Sequence, residues 1–271
     1  MILGIDLGGS ATKLAAMDGN HVLFCRYIPH SQLPAEDAVN GVLRKCGLIF
    51  DAIAVTGVSA AIFDFSRLES AAPVTRALEV LSLAAGADYL TAPGDKLTVS
   101  IGTGTAFVLS QGEKVTHIGG SAFGGGALQG LCRRILGFEP GRRFEELTRG
   151  GDLANVDLLM SELPSCPPSL DPKLTAANLA KTGESTSDAD WALGLLNLVL
   201  QTIGSMAYLA ASGYGVKTVV ITGGPTAAPC AKRILEPFSA AYGMHFIVPE
   251  HSECAAAIGA AVLLSDALEV R

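Results

Sequence analysis

Gly4-Ile5-Asp6-Leu7-Gly8-Gly9-Ser10-Ala11-Thr12-Lys13 decides how this chain is read. An apolar run from Met1 to Ile5 ends at the turn Asp6-Leu7-Gly8-Gly9, and apolar character resumes from Lys13 to Met17. Asp18-Gly19-Asn20 is a second turn before His21 to Tyr27, so the opening predicts a meander of short strands joined by tight turns. Gly8 and Gly9 let backbone approach a phosphate with no Cβ in the way, and Ser10 adds a hydroxyl donor. Asp6, an acceptor-only group at the strand end, suits Mg²⁺ or its waters, and Lys13 can reach phosphate oxygens. An ordinary Gly-Gly hairpin has the same look, so the first turn needs a partner.

A partner follows. Leu97 to Ile101 reads as a strand, Gly102-Thr103-Gly104-Thr105 as a turn, Ala106 to Leu109 as a strand, and Gln111-Gly112-Glu113 as a hairpin turn into Val115 to Ile118. Strand, glycine-rich turn, strand, turn and strand therefore occur twice, without any residue-level repeat. Two such units predict two α/β lobes with a cleft between them, residues 1–94 and 95–271. Two opposed turns of this chemistry suit one triphosphate.

Other segments fill in the plan. Ala35 to Cys46 and Pro73 to Ala87 read as helices, and Ala52 to Val55 as a buried strand stopped by Thr56-Gly57. Gly119-Gly120-Ser121-Ala122-Phe123-Gly124-Gly125-Gly126 leads into a helix from Gly124 to Leu136, where unblocked amides at a positive dipole end would hold an anion. Residues 161–173 are Pro/Ser-rich and read as loop. Asp188 to Ser212 is a long helix, apolar around most of its circumference, that needs burial inside a lobe or in a dimer interface. Val216 to Ile221 is a strand ending at Thr222-Gly223-Gly224-Pro225, Phe246 to Val248 a short strand, and Glu253 to Leu264 an Ala-rich last helix. Phosphoryl transfer also needs a base, for which Asp64, Glu69 and Glu79 are candidates. Glu79 stands among Ala77, Leu78, Val80 and Leu81, an apolar setting that would raise its pKa.

Composition excludes several classes. No G-x-x-x-x-G-K-[ST] occurs, nor a dinucleotide fingerprint in the first turn. A net charge of −7 and the lack of a basic stretch argue against nucleic acid as partner. No uninterrupted apolar run reaches the ~20 residues of a membrane span, and the N-terminus lacks a signal-peptide layout. The six cysteines are scattered without a C-x-x-C pair, which fits free thiols and a cytoplasmic location.

Motifs in this order resemble the type II (eukaryotic-like) pantothenate kinases of the actin-like, hexokinase-like ATPase superfamily, over almost the whole length. Residues 4–13 look like the first phosphate motif of that family and Ile101 to Thr105 like the second. Glu79 with Gly86 behind it matches the Glu-x6-Gly spacing of the catalytic base. Gly119 to Leu131, Gly151-Asp152-x-x-Asn155-Val156-Asp157, Leu174-Thr175-Ala176-Ala177-Asn178 and Ala257-Ile258-Gly259-Ala260 are further matches. The resemblance implies a two-lobed actin-like, ribonuclease H-like α/β fold with duplicated mixed sheets, the helix at 253–267 packing back towards the first lobe. It implies Mg-ATP as cofactor, pantothenate as acceptor and Glu79 as general base.

Nucleotide and phosphate contacts are then expected at Asp6, Gly8, Gly9, Ser10, Lys13, Gly102, Thr103, Gly104, Thr105, Gly125, Gly126, Ala127, Leu128, Gln129, Phe144 and Gly224. Acceptor contacts are expected at Glu79, His117, Ser121 and Ala122, with Mg²⁺ on Asp6 through water. The family is dimeric, which would place helix 188–212 in the interface. One position departs: two residues before Gly119-Gly120 the family carries an arginine, and this chain has His117, which cannot make a bidentate fork. Lys114, Arg133 or Arg142 could stand in for it, or the acceptor is a related small hydroxylated molecule. A sugar kinase of the same superfamily and a non-catalytic nucleotide-binding regulator are the competing readings.

Overall fold

The computed structural model describes residues 1–30, 33–166 and 171–269. β1 (Ile2–Leu7), β2 (Ala11–Asp18) and β3 (His21–Pro29) form an antiparallel meander. After α1 (Ala35–Cys46), β4 (Ala52–Thr56) adds parallel to β1 and β5 (Val74–Arg76) parallel to β4, giving the order β3-β2-β1-β4-β5. α2 (Glu79–Thr91) then leads to β6 (Lys96–Ile101), β7 (Thr105–Gln111) and β8 (Lys114–Ser121), a second antiparallel meander.

The chain next runs through α3 (Gly125–Ile135), α4 (Arg142–Gly150), the small pair β9 (Leu158–Leu159) and β10 (Thr175–Ala177), and α5 (Asp188–Tyr214). β11 (Thr218–Gly223) adds parallel to β6, and after α6 (Ala231–Tyr242), β12 (His245–Ile247) adds parallel to β11. The second sheet is β8-β7-β6-β11-β12, strand for strand the order and direction of the first. α7 (Ala255–Glu269) closes the chain.

Sequence explains the central strands. β1 (ILGIDL) and β6 (KLTVSI) lie between two neighbours and under helices, so both are buried nearly throughout; β1 is mostly apolar, whereas β6 alternates Lys96, Thr98 and Ser100 with Leu97, Val99 and Ile101. β3, at a sheet edge, mixes exposed and half-buried positions. α1 opens with Glu36 and Asp37 and closes with Arg44, Lys45 and a left-handed Gly47, each end complementing the helix dipole.

α7 follows the second sheet in sequence but packs on the first, with Ala257, Ile258 and Ala261 against Ala15 and Met17. It also crosses α2 at very short range: a Cβ on Gly86 would run into the Ala255 carbonyl, and one on Gly259 into that of Ser82. Two helices therefore meet backbone to backbone where the two halves of the chain join.

Several expectations need correction. The helix expected from Pro73 starts only at Glu79, because Val74–Arg76 is β5, a β-branched edge segment that extends β4. α4, α6, β5, β9 and β10 are additions to the sequence reading. In the expected loop at 161–173, Met160–Glu162 is a short 3₁₀ turn, and 167–170 lie outside the described residues. α5 is long and apolar enough to cross a membrane by length and composition, yet 61% of that stretch is buried within the chain. Leu195, Leu196, Leu200 and Ile203 are fully buried in a core shared with β6, β11, α3, α4 and α6. Its large apolar residues with high exposure are Leu209 and Tyr214 at the C-terminal end, so the excess apolar surface argued for a dimer is mostly spent inside the lobe. Cys25, Cys46, Cys132, Cys230 and Cys254 are free thiols.

Because neither helix can retreat without disturbing a sheet, Gly259→Val is expected to destabilise the fold by about 1–3 kcal/mol or more, the usual cost of overpacking. A denaturant midpoint equal to wild type would show that the α2–α7 crossing yields freely.

Candidate active site

One row of side chains crosses the first sheet at a single level. Tyr27 on β3 is registered opposite Lys13 on β2, Lys13 opposite Asp6 on β1, and Asp6 opposite Thr56 on β4. Lys13 Nζ donates to Asp6 Oδ2 at 3.0 Å, and both residues are buried. Burial works against the Lys13 charge, but the Asp6 carboxylate outweighs it and lifts the ammonium pKa above its ordinary value. Lys13 is therefore a fixed cation at the mouth of the first turn.

The two glycine turns face each other. Thr103 Oγ1 donates to Ser10 Oγ at 3.0 Å, joining residues far apart in sequence. The first turn is braced from behind, since Ser59 Oγ donates to the Gly8 carbonyl at 3.0 Å and the His30 amide to the Ser10 carbonyl at 2.9 Å. Beside this meeting point lies a cavity of about 240 Å³. Of the residues expected to hold nucleotide, it is lined by Ser10, Lys13, Gly102, Gly125, Leu128, Gln129, Phe144 and Gly224. Gly8, Gly9, Thr103 and Gly104 on the surrounding turns, and Gly126 and Ala127 at the start of α3, are not lining residues. Tyr27, Pro140, Gly141, Glu145 and Pro225 also line it and were missed in the sequence. Only the cross-strand position of Tyr27 relative to Lys13 could have signalled one of them.

Two roles change with the geometry. The amides of Gly125 and Gly126 donate to the carbonyls of Gly102 (2.8 Å) and Thr103 (2.9 Å), so they are not the free anion donors expected. The triple glycine instead permits close approach: a Cβ on Gly124 or Gly125 would lie 2.7 or 2.8 Å from a carbonyl oxygen of the second turn. Thr105 is buried, and its hydroxyl donates to the Phe123 carbonyl at 2.8 Å instead of facing the cleft.

The structure separates the three candidate bases. Asp64 is exposed and caps a short turn, and hydrogen bonds from the Ser66 hydroxyl and amide hold its carboxyl below the usual range. Glu69 is paired with Arg44 at 2.5 Å. Glu79 is half-buried as the first residue of α2. Its own neighbours do not make the apolar setting expected, since Leu78 is 72% exposed and Leu81 40%. Burial in the cleft raises its pKa first, the Asp6 charge adds to this, and Lys13 and His117 act in the opposite direction. Glu79, Asp6, Lys13 and His117 thus share one electrostatic neighbourhood.

His117 is exposed on β8. Of the suggested stand-ins, Arg142 is paired with Glu146 at 3.0 Å and Arg133 with Glu139 at 3.6 Å, while Lys114 is exposed at the start of β8, beside its far turn. Ser121 Oγ accepts from the Phe123 amide at 3.0 Å, and Ala122 is exposed next to it.

The segments 151–157 and 174–178 lie away from the cleft and build hydrogen-bond networks. The fully buried Asp157 accepts from Thr175 Oγ1 (2.8 Å), Asn197 Nδ2 (2.7 Å) and the Leu179 amide (2.8 Å). Asp190 on α5 accepts from the Asp152 amide (2.7 Å) and Ser187 Oγ (2.7 Å). These residues fasten β9, β10 and the chain before them to α5.

A family model described as Fumble matches residues 50–232. A type II pantothenate kinase of Staphylococcus saprophyticus is 28% identical over 134 residues, 48% of this chain and 51% of that protein. One of Bacillus cereus is 24% identical over 234 residues, 82% of either chain. The chain thus spans about half the length of the first relative and most of the second. Among solved structures, the activator of the 2-hydroxyisocaproyl-CoA dehydratase from Clostridium difficile, with bound ADPNP, covers 99% of this chain with a TM-score of 0.66 at 15% identity. The architecture is that of the two-lobed actin-like ATPases.

A carboxyl whose pKa is raised in the fold favours the protonated protein, so its contribution to stability is present at low pH and is lost as pH rises through that folded value. Glu79→Gln, which stays neutral, should therefore gain in Tm relative to wild type between pH 4 and pH 7. A Tm difference that is flat across this range would contradict the burial of the charge.

Proposed function

The chain belongs to the Fumble family, and we propose that it is a pantothenate kinase, transferring the γ-phosphoryl group of ATP to pantothenate to give 4′-phosphopantothenate. The observation that carries this reading is the raised carboxylate of Glu79 beside the Asp6–Lys13 pair, at the place where the two glycine turns meet through Thr103 and Ser10.

Two lobes form the site, each built on one of the two sheets, with α7 crossing back to the first sheet and α2 resting on the second. ATP lies in the cavity between the sheets, its nucleoside against Leu128, Gln129, Phe144 and Gly224 and its phosphates towards Ser10, Lys13 and the Gly102–Thr103 turn. Lys13, held in place by Asp6, offsets charge on the phosphate chain. Glu79 accepts the proton of the acceptor hydroxyl while the hydroxyl oxygen bonds to the γ-phosphorus, and the bond to the bridging oxygen breaks to leave ADP.

The residues fit Mg²⁺ bound through water. Asp6 Oδ1 has no protein donor among the described residues, and Thr56 Oγ1, on the paired strand position, is a buried hydroxyl without a partner. Mg²⁺ usually keeps several waters and takes one or two carboxylates with phosphate oxygens, and it would neutralise phosphate charge here. A cytoplasmic homodimer is the assembly proposed, with the exposed end of α5 at Leu209 and Tyr214 available to an interface.

His117 supports a second reading. With Arg133 and Arg142 paired elsewhere, neither stands in for the arginine of the family, so the same chemistry on a related small hydroxylated acceptor follows as the alternative.

ADP release with pantothenate, pantetheine and a sugar panel separates these readings. Turnover is expected with pantothenate, and Glu79→Gln should lower kcat by about 10²–10⁴-fold while ATP still binds. ATP binding without turnover on any acceptor would overturn the kinase reading. The rate should fall as pH drops through the raised Glu79 pKa, above the ordinary glutamate value. His117→Gln removes a cation that lowers this pKa, so it should move the acid limb to higher pH; an unmoved limb would show that another group titrates.

A further inference from the structure

Tyr27 is the one member of the cross-sheet row with no role in the chemistry above. It lies on β3 opposite Lys13 and lines the same cavity as Lys13, Gly102 and Gly224. Its hydroxyl reaches out of the first sheet to the second: a Cβ built on Gly224 would lie 2.8 Å from that oxygen and 3.1 Å from the ring. The side chain therefore stretches from the fixed cation at the phosphate turns to the bare backbone where β11 ends.

Tyr27 is 38% exposed, and its hydroxyl, the polar tip of an otherwise apolar ring, is free to take a partner in the cavity it lines. Among the described residues, the Tyr27 hydroxyl has none; its neighbour across the cleft, Gly224, offers no side chain. Burial raises its pKa and Asp6 adds to this against the opposing effect of Lys13, so it stays a neutral O–H donor. A donor left open in a cavity, one strand from a lysine, is complementary to an anionic oxygen. Filling space alone would not need the hydroxyl, since phenylalanine presents the same ring.

We propose that Tyr27 is a nucleotide-positioning residue, whose hydroxyl donates to an α-phosphate oxygen of the nucleotide in this cavity while its ring rests against Gly224. This rests on the reading that the cavity holds ATP. The contact is made by the first lobe at the point where the phosphate chain passes to the nucleoside of the second. The α-phosphate is the level that fits, because Lys13 and Ser10 occupy the turn end and Gly224 the nucleoside end.

Isothermal titration of wild type and Tyr27→Phe with ADP, AMP and adenosine tests the assignment. A hydrogen bond to a charged oxygen is worth enough for ADP and AMP to lose about tenfold or more in affinity, with adenosine unchanged. In turnover, the KM for ATP should rise by a similar factor with kcat nearly unchanged, and the variant without nucleotide should melt at the wild-type temperature. Unchanged affinity for ADP and AMP would overturn the assignment, as would an equal loss for all three ligands, which marks a packing role. Failure of the wild-type protein to bind any of the three would instead overturn the nucleotide reading of the cavity, and the assignment with it.

Discussion

A lysine and an aspartate buried together on adjacent strands constrain everything around them. Lys13 and Asp6 give up hydration, and at 3.0 Å their attraction only roughly offsets that cost. Removing either partner would leave the other charge buried and alone, at about 3–5 kcal/mol. Such a pair is poor value as a stabiliser compared with apolar residues of the same volume. It makes sense as a fixed charge pattern: a cation at the first turn, and a carboxylate that both holds the cation and raises the pKa of Glu79.

Around that pair, duplication supplies the geometry. Each sheet ends its first strand in a glycine turn, and because the sheets share one order and direction, the two turns can be brought face to face across a cleft. The hydroxyl contact between Thr103 and Ser10 is where they touch. The opposite side of the joint is the α2–α7 crossing, where Gly86 and Gly259 remove the side chains that would hold the helices apart. Glu79 starts α2, so the helix that forms this joint also carries the carboxylate. α2 itself rests on the second sheet, with Val80, Leu83 and Ala84 against Ala106, Val108 and Val115, so any movement between the lobes would alter the distance from Glu79 to the first turn.

What could be read from the sequence was whatever depended on local chemistry. The strand–turn–strand pattern at Asp6–Lys13 and at Ile101–Thr105 is visible because tight turns need glycine and the strands around them carry apolar residues on at least one face. The start of α2 was not legible: Ala77-Leu78-Glu79-Val80-Leu81 continues a helical pattern backwards, and only pairing with β4 makes Val74–Arg76 a strand. The same limit hid the true role of Gly124–Gly126, whose amides look free until the Gly102 and Thr103 carbonyls are placed beside them. Tyr27 is not visible in the sequence because register between β2 and β3, not spacing along one strand, puts it beside Lys13. α5 was read correctly as needing burial on several sides, but a sequence cannot say whether a lobe or a partner supplies it.

The most direct test is a crystal structure with a non-hydrolysable ATP analogue and pantothenate. The phosphate chain should lie between the Gly8–Ser10 and Gly102–Thr103 turns, with the acceptor hydroxyl within hydrogen-bond reach of Glu79 and of the γ-phosphate. A nucleotide bound away from the two turns, or an acceptor hydroxyl out of reach of Glu79, would contradict the facing-turn site as the centre of phosphoryl transfer.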